Sequence, residues 1–510
     1  MTIDATPLLR LHARRRAAQL ARQDAVAAQA AELLRLVRTA RQTRFGVEHG
    51  FPTIGGVAEF QKRVPLRRYD DFWTRYWEAD FPRLVDCSWP GTIPFFAATA
   101  GTTTGVTKHI PVTRAMNRAN RAAALDLLAH HVVSRPRSRI LGGRNFMLGG
   151  STALVAQAPG IHSGDLSGIA ADAVPWWARP WCFPPRADAL IADWEAKIAR
   201  LAPLSLAADI SSLSGTPSWL LLFLDRLAAL RPERPRRIAS WYPRLEMLAH
   251  GGVDFAPYRR QFEALLESGH AELREVYPAS EGFIAIADRG TGDGLRVIVD
   301  GGLFYEFVPV DEIAKVSPTR HWLGTAEPDV NYAVVLSTCA GLWAYILGDT
   351  IRFVELRPPR IVVTGRISYS LSAFGEHLIA EEIERSVACA ASAIGAAVVD
   401  YSAGALYPEG AGERGRHLYL VEFAGEVPDA ARLGRFAGAL DRQLAALNAD
   451  YREHRAAGFG MDPPSVRALR PGTFAAWMKS RGQLGGQHKV PRVINDAALF
   501  RALIAFVAQS

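Results

Sequence analysis

The chain has 510 residues, of which 49% are hydrophobic and 22% charged, and its formal net charge is +8. This length and apolar content allow several domains with a sizeable core and exclude disordered and fibrous proteins. The unbroken apolar runs, such as 219–224, are all far shorter than the roughly 20 residues that cross a bilayer, so no membrane partner is expected. The basic excess is spread along the chain. This distribution fits small anionic ligands better than nucleic acid. We also expect the protein to be a monomer.

Lysine is rare among the 59 basic residues. The only lysines are Lys62, Lys108, Lys197, Lys315, Lys479 and Lys489. Arginine stands nearly everywhere else, as expected of a GC-rich genome. Because the planar guanidinium does not mimic the compact ammonium charge, each retained lysine is a candidate contact for a phosphate or an oxyanion.

Two features predict a cytoplasmic protein. The Arg-rich first fifty residues contain acidic residues and no serine, unlike a transit peptide, and no apolar signal-peptide core follows Met1. The four cysteines lie far apart without metal-ligand spacing, so reduced thiols are expected.

The pattern of elements predicts a mixed α/β fold in two domains. Helical spacing predicts one or two amphipathic helices at the start, and later a strand, a Gly/Thr-rich loop and a helix over 113–131. A short strand is expected at 272–276. Closely spaced strand-like runs then predict a meander or distorted β-barrel that closes the large domain. These runs are 295–299, 303–310, 332–336, 342–347, 351–356 and 361–364.

The pattern of predicted helices and strands changes after residue 366. A helix over 379–393, strands at 397–401 and 417–423, and a helix over 429–455 predict a small α+β domain. We therefore expect a large N-terminal domain, 1–365, of β-sheets flanked by helices, and a smaller C-terminal domain, 366–510, with the boundary at Gly365 and Arg366.

The most distinctive segment is the Gly/Thr-rich loop 97–108. Gly101 and Gly105 allow tight turns that aim backbone N–H groups at an anion, and threonine hydroxyls and Lys108 lie close by. This composition predicts a phosphate cradle. Lys108 lies three residues after the second glycine, so the loop is not a Walker A motif. An ordinary Gly/Thr turn is the alternative.

A second candidate segment, Tyr277-Pro278-Ala279-Ser280-Glu281-Gly282, follows a predicted strand. A tyrosine ring can stack on a purine, a serine hydroxyl can bind phosphate or ribose, and a carboxylate can bind Mg²⁺. The alternative is a strand-to-helix turn with Ser280 as N-cap and Tyr277 as a core residue.

Two further segments contain candidate residues. Asp349 follows Gly348 between two apolar runs, where its carboxylate could accept hydrogen bonds from ribose hydroxyls; a hairpin turn is the alternative. Near the C-terminus, Lys489 lies in the glycine-rich segment 481–492. Such a loop can deliver a charge into a neighbouring cleft, although it could also be a solvated surface loop.

The order of these segments resembles that of the GH3 family of acyl-acid amido synthetases, part of the adenylate-forming superfamily. The resemblance spans about residues 95–492. The tail Gln487-His488-Lys489-Val490-Pro491-Arg492 is similar to the family's Gln-Tyr-Lys-Thr-Pro-Arg ending, and the segment 374–378 is similar to the start of the small domain in bacterial members. The Arg/Ala-rich texture also resembles bacterial members.

The resemblance implies ATP-dependent formation of an acyl-adenylate from a carboxylic acid, followed by transfer of the acyl group to an amine or amino acid. It also implies a mobile C-terminal domain. The implied ATP site comprises Thr99, Gly101, Thr102, Thr103, Lys108, Tyr277, Ser280, Asp349 and Arg366. Glu281 is the implied Mg²⁺ ligand, and Glu281 and Lys489 are the implied catalytic residues.

Two other interpretations remain open. An acyl-CoA or carrier-protein ligase would share the first half-reaction. A catalytically lapsed nucleotide-binding protein is suggested by two departures from the family pattern: Ala100 replaces a serine of the family loop, and Val490 replaces the threonine of the tail. The aromatic residues Trp176, Trp177 and Trp181 could line an acyl pocket or belong to the core.

Overall fold

The computed structural model describes residues 3–100, 107–149, 153–191, 193–252, 255, 258–290, 292–313, 315–367, 371, 378–407, 415–448, 451–452, 455, 461–483 and 490–509. Its α-helices are α1 (Thr6–Ala21), α2 (Ala25–Ala40), α3 (Arg44–Glu48), α4 (Val57–Arg63), α5 (Tyr69–Phe72), α6 (Arg114–Ser134), α7 (Leu166–Asp172), α8 (Arg186–Ala189), α9 (Trp194–Leu206), α10 (Pro217–Leu230), α11 (Ile238–Trp241), α12 (Arg259–Leu265), α13 (Ala380–Ala393), α14 (Ala430–Leu447), α15 (Thr473–Ser480) and α16 (Ala497–Gln509).

The strands share three sheets. They are β1 (Phe95–Ala100), β2 (Thr107–Val112), β3 (Arg144–Leu148), β4 (Val155–Ala158), β5 (Ile161–Gly164), β6 (Cys182–Phe183), β7 (Ile210–Gly215), β8 (Met247–Gly251), β9 (Glu272–Ala279), β10 (Gly282–Ile286), β11 (Leu295–Val297), β12 (Leu303–Pro309), β13 (His321–Trp322), β14 (Asn331–Thr338), β15 (Tyr345–Leu356), β16 (Pro359–Arg366), β17 (Val398–Leu406), β18 (Arg416–Phe423), β19 (Ser465–Leu469) and β20 (Val493–Ile494).

The largest sheet has twelve strands among the described residues, in the order β13-β12-β14-β15-β16-β11-β10-β9-β8-β7-β3-β6. The strands from β6 to β9 pair in parallel, and the rest of the sheet is antiparallel. The expected α/β architecture of sheets and flanking helices is confirmed. Of the two alternatives for the closely spaced strands, the meander is confirmed, because β12, β14, β15 and β16 are successive antiparallel neighbours. The distorted barrel is wrong, because β13 lies at the edge of an open sheet within the described chain, whereas a barrel closes its edge strands on each other.

Helices cover both faces of the parallel half of this sheet. Successive side chains of a strand point to opposite faces. On β8, Leu248 packs into the core that α10 and α12 share, and Ala249 packs into the core that α1 and α6 share. The carboxyl ends of these strands therefore lie between two helical layers, where ligands bind in open α/β sheets.

The C-terminal part forms its own sheet with helices on both faces, in the order β19-β18-β17-β20. On β18, Tyr419 and Val421 face the core that contains residues of α13 and α14, whereas Leu418 and Leu420 face the core that contains residues of α15 and α16. This alternation agrees with the predicted α+β architecture after residue 366.

Two predicted turns lie differently in the structure. Gly348 and Asp349 lie inside the continuous strand β15, so the hairpin alternative for them is wrong. Ser280 and Glu281 connect the antiparallel strands β9 and β10, so no helix begins at Ser280. No helix among the described residues is long and apolar enough to span a membrane.

Candidate functional site

A single cleft of about 2860 Å³ crosses the carboxyl ends of the parallel strands. The last residues of β3, β7, β8 and β9, which are Leu148, Gly215, Gly251 and Ala279, all line it. The cleft also brings together predicted residues that lie far apart in sequence. These are Thr99, Lys108, Tyr277, Ser280, Glu281, Asp349 and Arg366.

Four predicted residues lie outside the described residues: Gly101, Thr102, Thr103 and Lys489. The residues that follow Lys489 are described. Val490 and Pro491 line the cleft, and the Pro491 carbonyl accepts a hydrogen bond of 2.6 Å from the Ser402 hydroxyl. This contact fixes the chain beside the cleft one residue after Val490.

Asp349, on β15, is held by one partner from the adjacent strand β16 and by one from β9, which lies further along the same sheet. The Tyr277 hydroxyl donates a hydrogen bond of 2.6 Å to one carboxylate oxygen, and Nε of Arg366 lies 2.8 Å from the other. Burial, followed by the charge of Asp349, raises the pKa of Tyr277 well above its ordinary value, so the phenol stays a donor. Gly348 precedes Asp349 with a φ of 95°, a conformation that favours glycine.

The antiparallel register of β15 and β16 explains the ion pair. Asp349 and Arg366 are directly opposed residues in that register, so the backbone itself brings the two side chains together. The Ile367 N–H, one residue further on, donates a hydrogen bond of 2.8 Å to the Gly348 carbonyl. The end of the large sheet is therefore fixed at the residue where the sequence predicts the domain boundary.

Glu281 is buried with its side chain beside Tyr345. Its residue is only 7% exposed, and the two side chains are hydrogen bonded. Burial raises the pKa of Glu281 to about 7, and the negative charge of Asp349 acts in the same direction. The sequence did not identify Tyr345 as a site residue; its position four residues before Asp349 in an apolar run was the available signal.

The Glu281 turn depends on the following glycine. Gly282 has a φ of 151°, and a Cβ atom there would lie 2.9 Å from Cδ2 of Leu303. A larger residue would displace either Leu303 or the turn. Ser280, the other predicted residue of this turn, is also buried.

Lys108 and Thr99 face each other across the strand pair that enters the predicted phosphate loop. They are directly opposed residues of β2 and β1. The Lys108 ammonium lies 5.4 Å from the centroid of the Tyr69 ring. Burial lowers the pKa of Lys108, while the nearby charge of Glu281 raises it. The cleft thus holds a half-buried cation close to a buried carboxyl group.

The C-terminal part contributes a second charged cluster to the cleft. Arg492 donates a hydrogen bond of 2.6 Å to Glu384, lies 3.5 Å from Asp400 and 5.3 Å from the ring centroid of Tyr401. Burial raises the pKa of Asp400 to about 6. The sequence assigned no role to these four residues, although an aspartate inside an apolar strand was a usable signal.

The carboxylates of the cleft could bind Mg²⁺ only if a bound ligand and water supplied further oxygen atoms. No group of three or more His, Cys, Asp or Glu side chains with metal-binding geometry occurs within the described ranges. Mg²⁺ is commonly held by one or two carboxylates together with substrate phosphates and water. The buried carboxyl group of Glu281 fits this kind of site.

Three family models match consecutive parts of the chain. They describe the N-terminal domain of the GH3 family over residues 14–152, its central domain over 296–366 and its C-terminal domain over 381–498. Together they match well over half of the 510 residues.

Curated relatives include plant amido synthetases. The probable indole-3-acetic acid-amido synthetase GH3.9 of Oryza sativa subsp. japonica is 30% identical over 252 residues, which cover 46% of this chain and 56% of that protein. The indole-3-acetic acid-amido synthetase GH3.8 of Oryza sativa subsp. indica is 30% identical over 251 residues, 46% of this chain and 41% of that protein. The chain thus spans about half the length of the curated relatives it matches.

Solved structures share the fold at low sequence identity. GH3.15 acyl acid amido synthetase superposes with a TM-score of 0.78 and 17% identity, covering 95% of this chain and 93% of that one. A 2-hydroxyisobutyryl-CoA ligase in the postadenylation state, in complex with R3-HIB-AMP, superposes with a TM-score of 0.61 and 16% identity, covering 94% of this chain and 91% of that one. These superpositions show the shared fold, and the three family models, in their order along the sequence, establish that the chain belongs to the GH3 family.

Proposed function

We propose that the protein activates a carboxylic acid with ATP to form an acyl-adenylate and then transfers the acyl group to an amine or amino acid. The observation that carries this proposal is the convergence of the Tyr277–Asp349–Arg366 contacts, the buried Glu281 and the half-buried Lys108 on one cleft. Membership of the GH3 family and the names of the curated relatives support an amide as the product.

In this proposal the nucleotide occupies the part of the cleft between β9 and β15. Asp349 accepts hydrogen bonds from the ribose hydroxyls, with Arg366 beside it, and the ring of Tyr277 borders the adenine. The phosphates bind to a group of hydroxyls, backbone N–H groups and one ammonium. This group comprises Thr99, Gly101, Thr102, Thr103, Lys108 and Ser280.

Glu281 is the proposed ligand of Mg²⁺, the remaining positions being filled by phosphate oxygens and water. When bound, the ion neutralises phosphate charge and so favours departure of pyrophosphate. Glu281 binds the ion as a carboxylate, so metal binding displaces the proton that burial favours. The nearby Lys108 ammonium stabilises the same ionised form.

The first half-reaction needs attack of a carboxylate oxygen on the α-phosphorus. The bond from that phosphorus to the bridging oxygen breaks, and pyrophosphate leaves with the electron pair. In the second half-reaction the amine nitrogen attacks the acyl carbon, AMP leaves, and the amine loses a proton. Phosphoryl transfer depends mainly on positioning and charge neutralisation, and we assign charge neutralisation in the first step to Lys489.

Two half-reactions with different leaving groups favour two arrangements of one cleft. We propose that residues 366–510 form a mobile small domain that rotates about the boundary at Gly365 and Arg366 against the large domain 1–365. The Ile367–Gly348 hydrogen bond crosses this boundary and joins the start of the small domain to β15 of the large domain. Rotation would move the charged cluster of Arg492, Glu384 and Asp400 relative to the rest of the cleft.

A CoA or carrier-protein ligase is the competing function, since a CoA ligase shares the fold. The decisive test is an ATP–pyrophosphate exchange screen over carboxylic acids, followed by acceptor screening with the best acid. The proposal expects Mg²⁺-dependent exchange and AMP release that amines or amino acids accelerate. A thioester product with CoA would favour the competing function, and ADP as product would contradict both.

We also propose that the enzyme is a bacterial, cytoplasmic monomer that binds neither nucleic acid nor membrane. The free thiols of Cys87, Cys182, Cys339 and Cys389 are compatible with a reducing compartment. Size-exclusion chromatography coupled to light scattering tests the monomer. A stable dimer peak would contradict it.

A further inference from the structure

Several large apolar side chains that line the cleft remain exposed to solvent. Trp176, Trp177 and Leu8 are 78%, 59% and 73% exposed. Together with three further exposed residues they form what we call the apolar rim. The apolar rim consists of Leu8, Leu125, Met147, Trp176, Trp177 and Leu222, all of which line the cleft.

The exposed tryptophans belong to a segment that is tied to its surroundings at both ends. Before them, Arg121 donates a hydrogen bond of 3.4 Å to the Ala173 carbonyl. After them, the Trp181 carbonyl accepts a bond of 3.2 Å from the Asn145 amide, and the Trp181 indole donates one of 2.9 Å to the Ile3 carbonyl. The backbone on both sides of the two tryptophans is therefore held in place, while their side chains stay exposed.

The apolar rim gathers side chains from several separate elements. Leu8 lies on α1, Leu125 on α6, Met147 on β3 and Leu222 on α10. A single exposed apolar side chain is ordinary, but a contiguous exposed patch marks a binding surface or a ligand groove. Convergence on a concave surface favours a ligand groove.

The apolar rim opens into the same cleft as Asp349 and Lys108. Further apolar side chains line this cleft, among them Leu128, Leu148 and Val174. A molecule with a polar head at the nucleotide site and an apolar tail would find apolar side chains for that tail in the same cleft. The cleft, at about 2860 Å³, is larger than the roughly 300–1,000 Å³ of a typical small-molecule pocket.

We propose that the apolar rim binds the distal end of a long apolar acyl chain, so that the acyl substrate is a medium- or long-chain carboxylic acid and not a short one. This inference rests on the proposed function, because it places the carboxylate of that chain beside the nucleotide. The chain covers the exposed faces of Trp176 and Trp177 when the acid binds.

The chain-length dependence of the first half-reaction tests this assignment. Butanoate, hexanoate, octanoate and decanoate are compared in ATP–pyrophosphate exchange with the full-length protein. Each CH₂ group that becomes buried is expected to lower KM roughly fourfold. If none of these four acids supports exchange while another acid of the screen does, the inference fails; if no carboxylic acid supports exchange, the proposed function fails. If exchange occurs but KM does not fall with chain length, the inference alone fails.

Rim variants locate the effect. The double variant W176A/W177A is expected to raise KM for decanoate at least tenfold, with little change for butanoate or ATP. The double variant W176F/W177F, which keeps two apolar rings, should restore most of the affinity. Val316, exposed and absent from the cleft lining, supplies the control V316S, which should behave as wild type. Equal KM values for decanoate in all four proteins would overturn the proposal.

A membrane surface is the other chemistry that exposed tryptophans serve. Co-sedimentation with vesicles of phosphatidylcholine and phosphatidylglycerol distinguishes it. The proposal expects no tryptophan-dependent vesicle binding. Loss of vesicle binding in W176A/W177A with an unchanged KM for decanoate would assign the rim to lipid and overturn the proposal.

Discussion

Asp349 and Arg366 lie opposite each other in the register of β15 and β16, and Nε of Arg366 lies 2.8 Å from the Asp349 carboxylate. This contact joins the proposed ribose ligand to the residue at the proposed hinge. Because the Tyr277 hydroxyl holds the other carboxylate oxygen, the Asp349 side chain is oriented before any ligand binds. A pre-oriented acceptor reduces the cost of ordering on binding.

The role of Asp349 can be tested with a change on each side of the contact. D349N should raise KM for ATP by about 10- to 100-fold, since hydrogen bonds to a charged group are worth about 1.5–3 kcal/mol. Wild type should prefer ATP over 2′-deoxy-ATP, and D349N should lose most of that preference. Comparison of the four KM values provides the check. An unchanged preference would separate Asp349 from the ribose.

Tyr277 should contribute through its hydroxyl as well as its ring. Y277F keeps the ring and removes the 2.6 Å hydrogen bond to Asp349, so unfolding free energy should fall by about 1.5–3 kcal/mol. KM for ATP should rise less than in D349N, because Arg366 still holds the carboxylate. Denaturant unfolding and exchange kinetics measure the two effects. A larger kinetic defect in Y277F than in D349N would contradict this ranking.

Glu281 should govern the use of Mg²⁺. E281Q retains the shape of the side chain and loses its charge, so exchange should require much higher Mg²⁺ and be slower at saturation. E281D keeps a charge and should be less impaired. Titration of exchange activity with Mg²⁺ measures both variants. An unchanged Mg²⁺ dependence in E281Q would leave Glu281 as a structural residue of the turn.

Glu281 should also make stability depend on pH in the absence of ATP and Mg²⁺. Burial raises its pKa from 4.5 to about 7 in the folded protein, so the folded state keeps a proton that the unfolded state has lost in this interval. The free energy of unfolding therefore falls as the pH rises from 4.5 to about 7. The total loss that Glu281 causes is about 3 kcal/mol.

The comparison of wild type with E281Q isolates this effect. At about pH 5 the two should be similarly stable, and at about pH 8 E281Q should be the more stable protein. Thermal unfolding across this range provides the measurement. A constant difference in Tm would mean that Glu281 titrates near its ordinary pKa.

Lys489 should act on the first half-reaction. K489A is expected to slow ATP–pyrophosphate exchange by about 10²–10³, the usual cost of losing a charge contact in the transition state, without a change in Tm. K489R should also be impaired, since a planar fork does not reproduce a point charge. K315A, at an exposed lysine paired with Glu312, is the matched control. Full exchange activity in K489A would leave Lys489 without a role in the first half-reaction.

Local sequence patterns predicted the elements better than they predicted how the elements meet. The apolar run 303–310 became β12, Leu303–Pro309, because period and composition report local burial. The same pattern could not distinguish a closed barrel from an open sheet, because closure depends on which distant strands pair. Gly348 and Asp349 illustrate this limit, since a Gly-Asp pair fits both a turn and a strand that carries a glycine at positive φ.

In the candidate site, too, the sequence predicted individual residues better than the contacts between them. The sequence identified Tyr277, Asp349 and Glu281 as candidates, because their residue types suit nucleotide and metal binding. It did not reveal that Tyr277 binds Asp349, or that Tyr345 binds Glu281, since these contacts depend on the order of strands in the sheet. The position of the tryptophans at the cleft, not in the core, depends on tertiary contacts as well.

The central claim is that the protein forms an acyl-adenylate. Its most direct test is the product analysis of a single turnover with ATP labelled in the α-phosphate, Mg²⁺ and the best acid of the exchange screen, first without and then with an amino acid. The account predicts labelled acyl-AMP with release of pyrophosphate, and conversion to labelled AMP and an amide once the amino acid is added. Release of labelled ADP and inorganic phosphate would contradict it.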